Sequence, residues 1–187
     1  VESRRDASGI HLNSKALIGD VGDLLGINTG GKMATAPTPS SFSAFRPSAL
    51  CTDESDRKLL DRYPYRTIVG KLLYVVRGSR RECAWAVGEL SRYQSSFGYY
   101  HVVVLEYCCQ YLMNTIEREL HFRSGYDASL PKYIATCDAS YGSDMVRGRT
   151  HWGGAHFFLG CVIAVCAKIF GPTPLSTCEA EFMGIFE

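Results

Sequence analysis

A surplus of charge of either sign is what this sequence most plainly lacks: 20 lysines and arginines meet 19 aspartates and glutamates, for a net of +1. That balance excludes a chain drawn to nucleic acid or to an anionic membrane by bulk charge, and leaves any phosphate contact to local basic patches. Zinc-knuckle spacing is also missing. Eight cysteines are present, yet no C-x-x-C pair or cysteine–histidine cluster occurs, which argues against a structural zinc site. No secretory signal peptide opens the chain. Free, mostly buried thiols in a reducing cytoplasmic or nuclear compartment are therefore expected, and not a secreted disulfide framework. No apolar run reaches the ~20 residues of a membrane span. The nearest candidate, WGGAHFFLGCVIAVCAKIF at 152–170, holds His156, Lys168 and several glycines, and reads as two strands turning near Gly160. Internal repeats are absent too.

What remains is a globular composition, 46% apolar and 21% charged over 187 residues, enough for one ordinary domain or two small ones. GIHLN at 9–13 reads as a short strand. A weak helix follows, with Ser14 as N-cap, Leu17, Val21, Leu24 and Leu25 on one face, and Gly26 as its stop. Gly19 and Gly22 inside it each cost roughly 1 kcal/mol relative to alanine. GGKMATAPTPSS at 30–41 is a linker by composition, and loop character extends to about Lys58.

Helical periodicity takes over from Tyr65. It covers YRTIVGKLLYVV, then CAWAVGELSRYQSSF with Cys83, Val87, Leu90 and Phe97 on one stripe, then HVVVLEYCCQYLMNT with Val104, Cys108, Leu112 and Thr115 on one face. After Asp127 the period changes to that of strands. KYIATCD reads as a strand ending on Asp138, the 152–168 hairpin supplies two more, and a helix closes the chain. At that helix Ser176-Thr177-Cys178-Glu179 has the spacing of a capping box, which gives Glu179 a structural role. Glu181, roughly 200° further round the helix, faces elsewhere.

Taken in order, these segments resemble the Pol polyprotein of copia-type LTR retrotransposons, from the end of the reverse transcriptase into its ribonuclease H domain. SGIHLNS…DLLG followed by KMATAPTP looks like the thumb and its exit. YPYRTIVGKLLYVV is similar to the family's P-Y-R-x-x-V-G-x-L-L-Y block. AWAVGELSRY and QYLMNT look like the connecting helices, and CDASYGSD, FFLG and STCEAEFMG resemble the opening of the ribonuclease H domain. The family pattern differs at SRRE, residues 79–82, where it usually has T-R-P-D, and at Ser140, where it often has a second aspartate. The resemblance puts the polymerase carboxylates before residue 1 and the later ribonuclease H carboxylates after Glu187.

The resemblance implies a mixed α+β or α/β chain. A thumb remnant and linker (1–39) and a loop with helical connection (40–129) are followed by a truncated ribonuclease H-like mixed sheet, three strands and the start of a helix (130–187). It implies magnesium as cofactor, with Asp138 and Glu181 as catalytic metal ligands, because two-metal hydrolysis needs carboxylates converging on the ion pair. Read from the residues alone, Glu181 is as well a solvated residue near a helix N-terminus. The expected partner in the intact element is an RNA–DNA hybrid, touched by Arg147 and Arg149 and, less directly, by Arg77, Arg80 and Arg81; the alternative is that these arginines are ordinary solvated charges. The five histidines lack metal spacing and read as structural or surface residues. A fragment with two of its carboxylates is expected to be inactive alone. The alternatives are a host-retained, non-catalytic nucleic-acid-binding or assembly module, or a pseudogene product. Finally, the strand at 132–137 is expected to keep one unpaired edge, a template for self-association.

Overall fold

A computed structural model describes residues 1–31, 34–39, 57–58, 60–144 and 149–186. The chain is a mixed α/β protein that divides into two compact units, Val1–Ser3 with Leu12–Leu120 and Arg4–His11 with His121–Glu187. Strands β1 (Glu2–Asp6), β2 (Gly9–Asn13) and β3 (Leu120–Arg123) form a three-stranded sheet in that order. β2 was legible; β1, polar and exposed along its length, carries no alternation to announce it, and β3 alternates (Leu120, His121, Phe122, Arg123) over four residues only, too short a run to stand out.

The first unit is helical. Helix α1 (Lys15–Leu25) ends at Gly26, whose φ of 65° is the left-handed conformation that closes helices. Ser14 precedes it as expected, but its side chain makes no cap bond. Its hydroxyl instead meets that of Ser79 at 2.8 Å in a buried pair. The face turned inward is Ile18, Val21 and Gly22, while Leu24 stays exposed.

Helix α2 (Tyr65–Gly78) buries Tyr65, Ile68, Val69, Leu72 and Val75, a stripe of period 3.6. A 3-10 turn (Arg81–Cys83) leads into α3 (Ala84–Ser91), which is shorter than its apolar stripe suggests. The Ser91 hydroxyl donates to the Gly88 carbonyl at 2.6 Å, and Arg92 and Tyr93 tighten to bonds with Glu89 and Leu90, so the helix narrows and stops. Phe97 belongs to the loop beyond, yet it still packs, with its ring 4.3 Å from that of Tyr65.

Helix α4 (Tyr99–Asn114) starts where His101 Nδ1 accepts the Gly98 N–H at 3.0 Å. It buries Val104, Cys108 and Leu112 on the expected face. The basic run 77–81 is not one surface cluster. Arg80 is fully buried, donating to Glu82 and to the Thr115 carbonyl with its guanidinium 5.5 Å from the Tyr111 ring centre. A charge desolvated this completely holds α3 and α4 together and is not available to a phosphate.

The second unit contains β4 (Tyr133–Asp144), β5 (Arg149–Phe158) and β6 (Cys161–Ile169), an antiparallel sheet in sequence order, followed by α5 (Thr177–Phe186). The β5–β6 turn is formed by Leu159 and Gly160, both with positive φ (50° and 75°), as a tight hairpin requires. That settles residues 152–168 as a hairpin, and among the described residues no helix is long and apolar enough to cross a membrane.

β4 corrects one expectation. The strand does not end on Asp138; it continues to Asp144, because β5 keeps pairing with it through Ala139–Trp152 and Ser140–His151 before an irregularity near Gly142 (φ 63°). The small core of this unit is Trp152, Phe170 and Ala180, flanked by Ala139, Cys166 and Met183.

Candidate functional site

Asp138 stands in the middle of β4, opposite Gly153, and is exposed. Successive strand residues point to opposite faces. Ala139 packs into the cluster of Trp152, Phe170, Ala180 and Met183, so its face is the one that α5 covers. Asp138 accordingly belongs to the other, barer face, together with Ile134 and Thr136. Glu181 is exposed on α5, next to the buried Ala180. Arg149 opens β5, half-buried and in register with Asp144. Arg147 lies outside the described residues.

The capping stretch behaves nearly as its spacing predicts. The Glu179 N–H donates to the Ser176 hydroxyl at 3.1 Å, and the Ala180 N–H to the Ser176 carbonyl at 3.0 Å. The returning Glu179 carboxylate reaches one residue further than in a standard capping box, accepting the Leu175 N–H at 2.6 Å. Glu179 is thus occupied by the chain's own backbone, and Glu181 is not.

Magnesium binding requires several oxygen ligands converging on the ion. Among the described residues no three histidine, cysteine, aspartate or glutamate side chains are grouped so as to hold a metal ion. Asp138 on one face of the sheet and Glu181 on the helix over the other do not by themselves fit a magnesium pair.

A polar cluster in the second unit had no signal in the residue pattern. His11 and His121 stack with ring centres 4.0 Å apart, and the Ser8 hydroxyl lies 3.1 Å and 3.3 Å from their Nε2 atoms. Asp6 completes the cluster, accepting from the Ser8 hydroxyl at 2.6 Å and lying 3.2 Å from His11 Nε2. The Ser8 hydroxyl and backbone N–H, and then His11, hold the Asp6 carboxyl well below the usual carboxylate range.

Serine, histidine and aspartate in contact call a catalytic triad to mind, but the geometry is wrong for one. A triad aspartate binds the imidazole nitrogen remote from the serine, whereas Asp6 and Ser8 meet the same Nε2. The other histidines are structural as well: His101 caps α4, His151 Nδ1 meets the Ser143 hydroxyl at 2.7 Å, and His156 Nδ1 meets the Tyr133 hydroxyl at 2.5 Å.

The first unit has a polar cavity of about 400 Å³ bounded by Arg57, Asp61, Arg66, Thr67 and Ser96. Arg66 is already engaged there, donating from Nε to the Gln94 carbonyl at 2.9 Å.

No protein-family model matches the chain, and no solved structure matches it significantly. Among curated proteins it is 28% identical over 161 residues to a putative transposon Ty5-1 protein of Saccharomyces cerevisiae, covering 81% of this chain and 51% of that protein. It is 29% identical over 136 residues to the retrovirus-related Pol polyprotein from transposon TNT 1-94 of Nicotiana tabacum, covering 73% of this chain and 10% of the polyprotein. It is also 29% identical over 124 residues to the secreted RxLR effector protein 161 of Plasmopara viticola, covering 66% of this chain and 85% of the effector. The chain thus spans about half of the first relative and about a tenth of the second. These similarities support a piece of a retroelement polyprotein.

Proposed function

We propose that the chain is a segment of a copia-type retrotransposon Pol polyprotein, running from the end of the reverse transcriptase into the start of a ribonuclease H-like domain. In the intact element that machinery serves RNA-templated DNA synthesis and cleavage of RNA–DNA hybrids. The observation that carries the reading is similarity to two transposon proteins along 81% and 73% of the chain. The order of three antiparallel strands and a helix in the second unit agrees with it.

On this reading the resemblance sets Asp138 and Glu181 at the family's metal positions, but on opposite sides of the sheet they converge on no ion; Arg149 and Arg147 are the candidates for contact with the hybrid's phosphates. Two carboxylates leave most of the ion's shell to water, so the isolated chain has no hybrid nuclease activity. The test is incubation of the 187-residue chain with a labelled RNA–DNA hybrid and magnesium or manganese. No cleavage is expected, and any binding weakens steeply with salt because phosphate contacts dominate it. Cleavage that vanishes in Asp138→Asn would show that the site is completed within this chain.

The third relative favours a second reading. A protein named as a secreted effector aligns with this chain over 85% of its own length, so most of that effector corresponds to part of this chain without the rest of a polyprotein. A host-retained, non-catalytic binding or assembly module is that alternative. It predicts hybrid binding no tighter than binding to duplex DNA.

A further inference from the structure

We propose that a second copy of this chain adds, antiparallel, to the open edge of β4, in a register centred on Cys137. Among the described residues β4 pairs with β5 alone, and every residue from Tyr133 to Asp138 is exposed. An exposed strand edge is a row of unpaired donors and acceptors, a template for another chain.

The parity of that row is fixed by the hairpin. The Leu159 N–H donates to the Lys132 carbonyl at 2.8 Å, and the register runs Tyr133–Phe158, Ile134–Phe157, Ala135–His156 and onward. Even-numbered residues from Lys132 to Asp138 therefore exchange hydrogen bonds with β5. Tyr133, Ala135, Cys137 and Ala139 direct theirs to the open side. A two-fold dimer must match these outward residues with one another, and an isologous contact between edge strands is antiparallel.

Few registers satisfy that parity. Centring on Asp138 sets two carboxylates directly opposite, which is destabilising. Centring on Thr136 shortens the overlap. Centring on Cys137 pairs Ala135 with Ala139 of the second copy and Tyr133 with Tyr141 of the second copy. It also brings Thr136 against Asp138 of the second copy, twice over. Those are the non-hydrogen-bonded pairs, where side chains come closest. Thr136 makes only a long 3.4 Å contact with the Ala155 carbonyl within its own chain, so its hydroxyl is available to the facing carboxylate.

The other margin of the sheet, β6, is less suited. Its pairing with β5 is broken by an irregularity at His156–Phe157, and it carries Lys168, a charge of the kind that blunts edges.

The test is sedimentation of the full 187-residue chain under reducing conditions across micromolar concentrations. A monomer–dimer equilibrium is expected. Ala135→Pro deletes an outward N–H without touching the β5 ladder, and Thr136→Asp sets like charges opposite each other. Each variant should weaken the dimer by about tenfold or more, with circular dichroism unchanged. A short bis-maleimide should join Cys137 to Cys137 of the second copy. Three results would overturn the proposal: a monomer at every concentration, a dimer indifferent to both variants, or a cross-link through Cys161 or Cys166.

Discussion

Arg80 and Thr115 are joined twice: the guanidinium donates from Nη1 to the Thr115 carbonyl at 3.0 Å and from Nη2 to its hydroxyl. The bond ties the end of α4 to the turn before α3, and the arginine is 1% exposed. Removing one member of a buried charged network typically costs about 3–5 kcal/mol. Arg80→Ala is therefore expected to lower the stability of the first unit by about 3 kcal/mol in urea unfolding. Arg77→Ala, at an exposed position, should change it by less than about 0.5 kcal/mol. Equal stability of the two variants would return Arg80 to the surface.

Two glycines should respond with opposite sign. A Cβ on Gly9 would meet the Phe122 carbonyl oxygen at 2.0 Å, and its φ of 144° disfavours other residues. A Cβ on Gly19, inside α1, meets nothing. Gly9→Ala should cost more than about 2 kcal/mol, as β2 is pushed off β3. Gly19→Ala should stabilise by up to about 1 kcal/mol. Thermal unfolding of the two variants checks the contrast.

Alkaline pH should weaken the fold. The Cys83 thiol is pushed far above its ordinary value of 9.0, first by its hydrogen bond with Cys108 and then by burial, and burial pushes Cys109 up as well. A group whose folded pKa is raised contributes stability that is whole below its unfolded pKa and is lost as pH rises toward the folded one. Stability is therefore expected to hold to about pH 9 and then fall by up to ~1.4 kcal/mol per pH unit for each such thiol. Replacing both Cys83 and Cys109 by alanine should flatten the decline between pH 9 and 10, below the range where tyrosines join it.

The helical half of this architecture was readable because its stripes repeat at 3.6 residues: Ile68, Leu72 and Val75 on α2, and Val104, Cys108 and Leu112 on α4, are buried. The hairpin was readable from its small residues and Gly160. β1 was not, since a strand so exposed leaves no alternation, and the four alternating residues of β3 are too few to stand out. The extent of β4 beyond Asp138 was hidden as well, because it depends on what β5 offers across the sheet and not on local propensity. Ser14 shows the same limit: its type marks a cap, while its hydroxyl was claimed by Ser79, 65 residues away. Glu179 was legible as a cap because that bond is local. The relation of Asp138 to Glu181 was not, because a face of a sheet is decided by a one-residue parity that spacing between distant segments does not carry.

If this chain is one segment of a larger retroelement polyprotein, the DNA flanking its coding segment carries the rest of it. Sequencing should find, in frame, a stretch bearing the polymerase carboxylates upstream and further carboxylates of the ribonuclease H-like domain downstream. A dedicated start and stop codon bounding this chain alone, between unrelated genes, would show that it is no such segment.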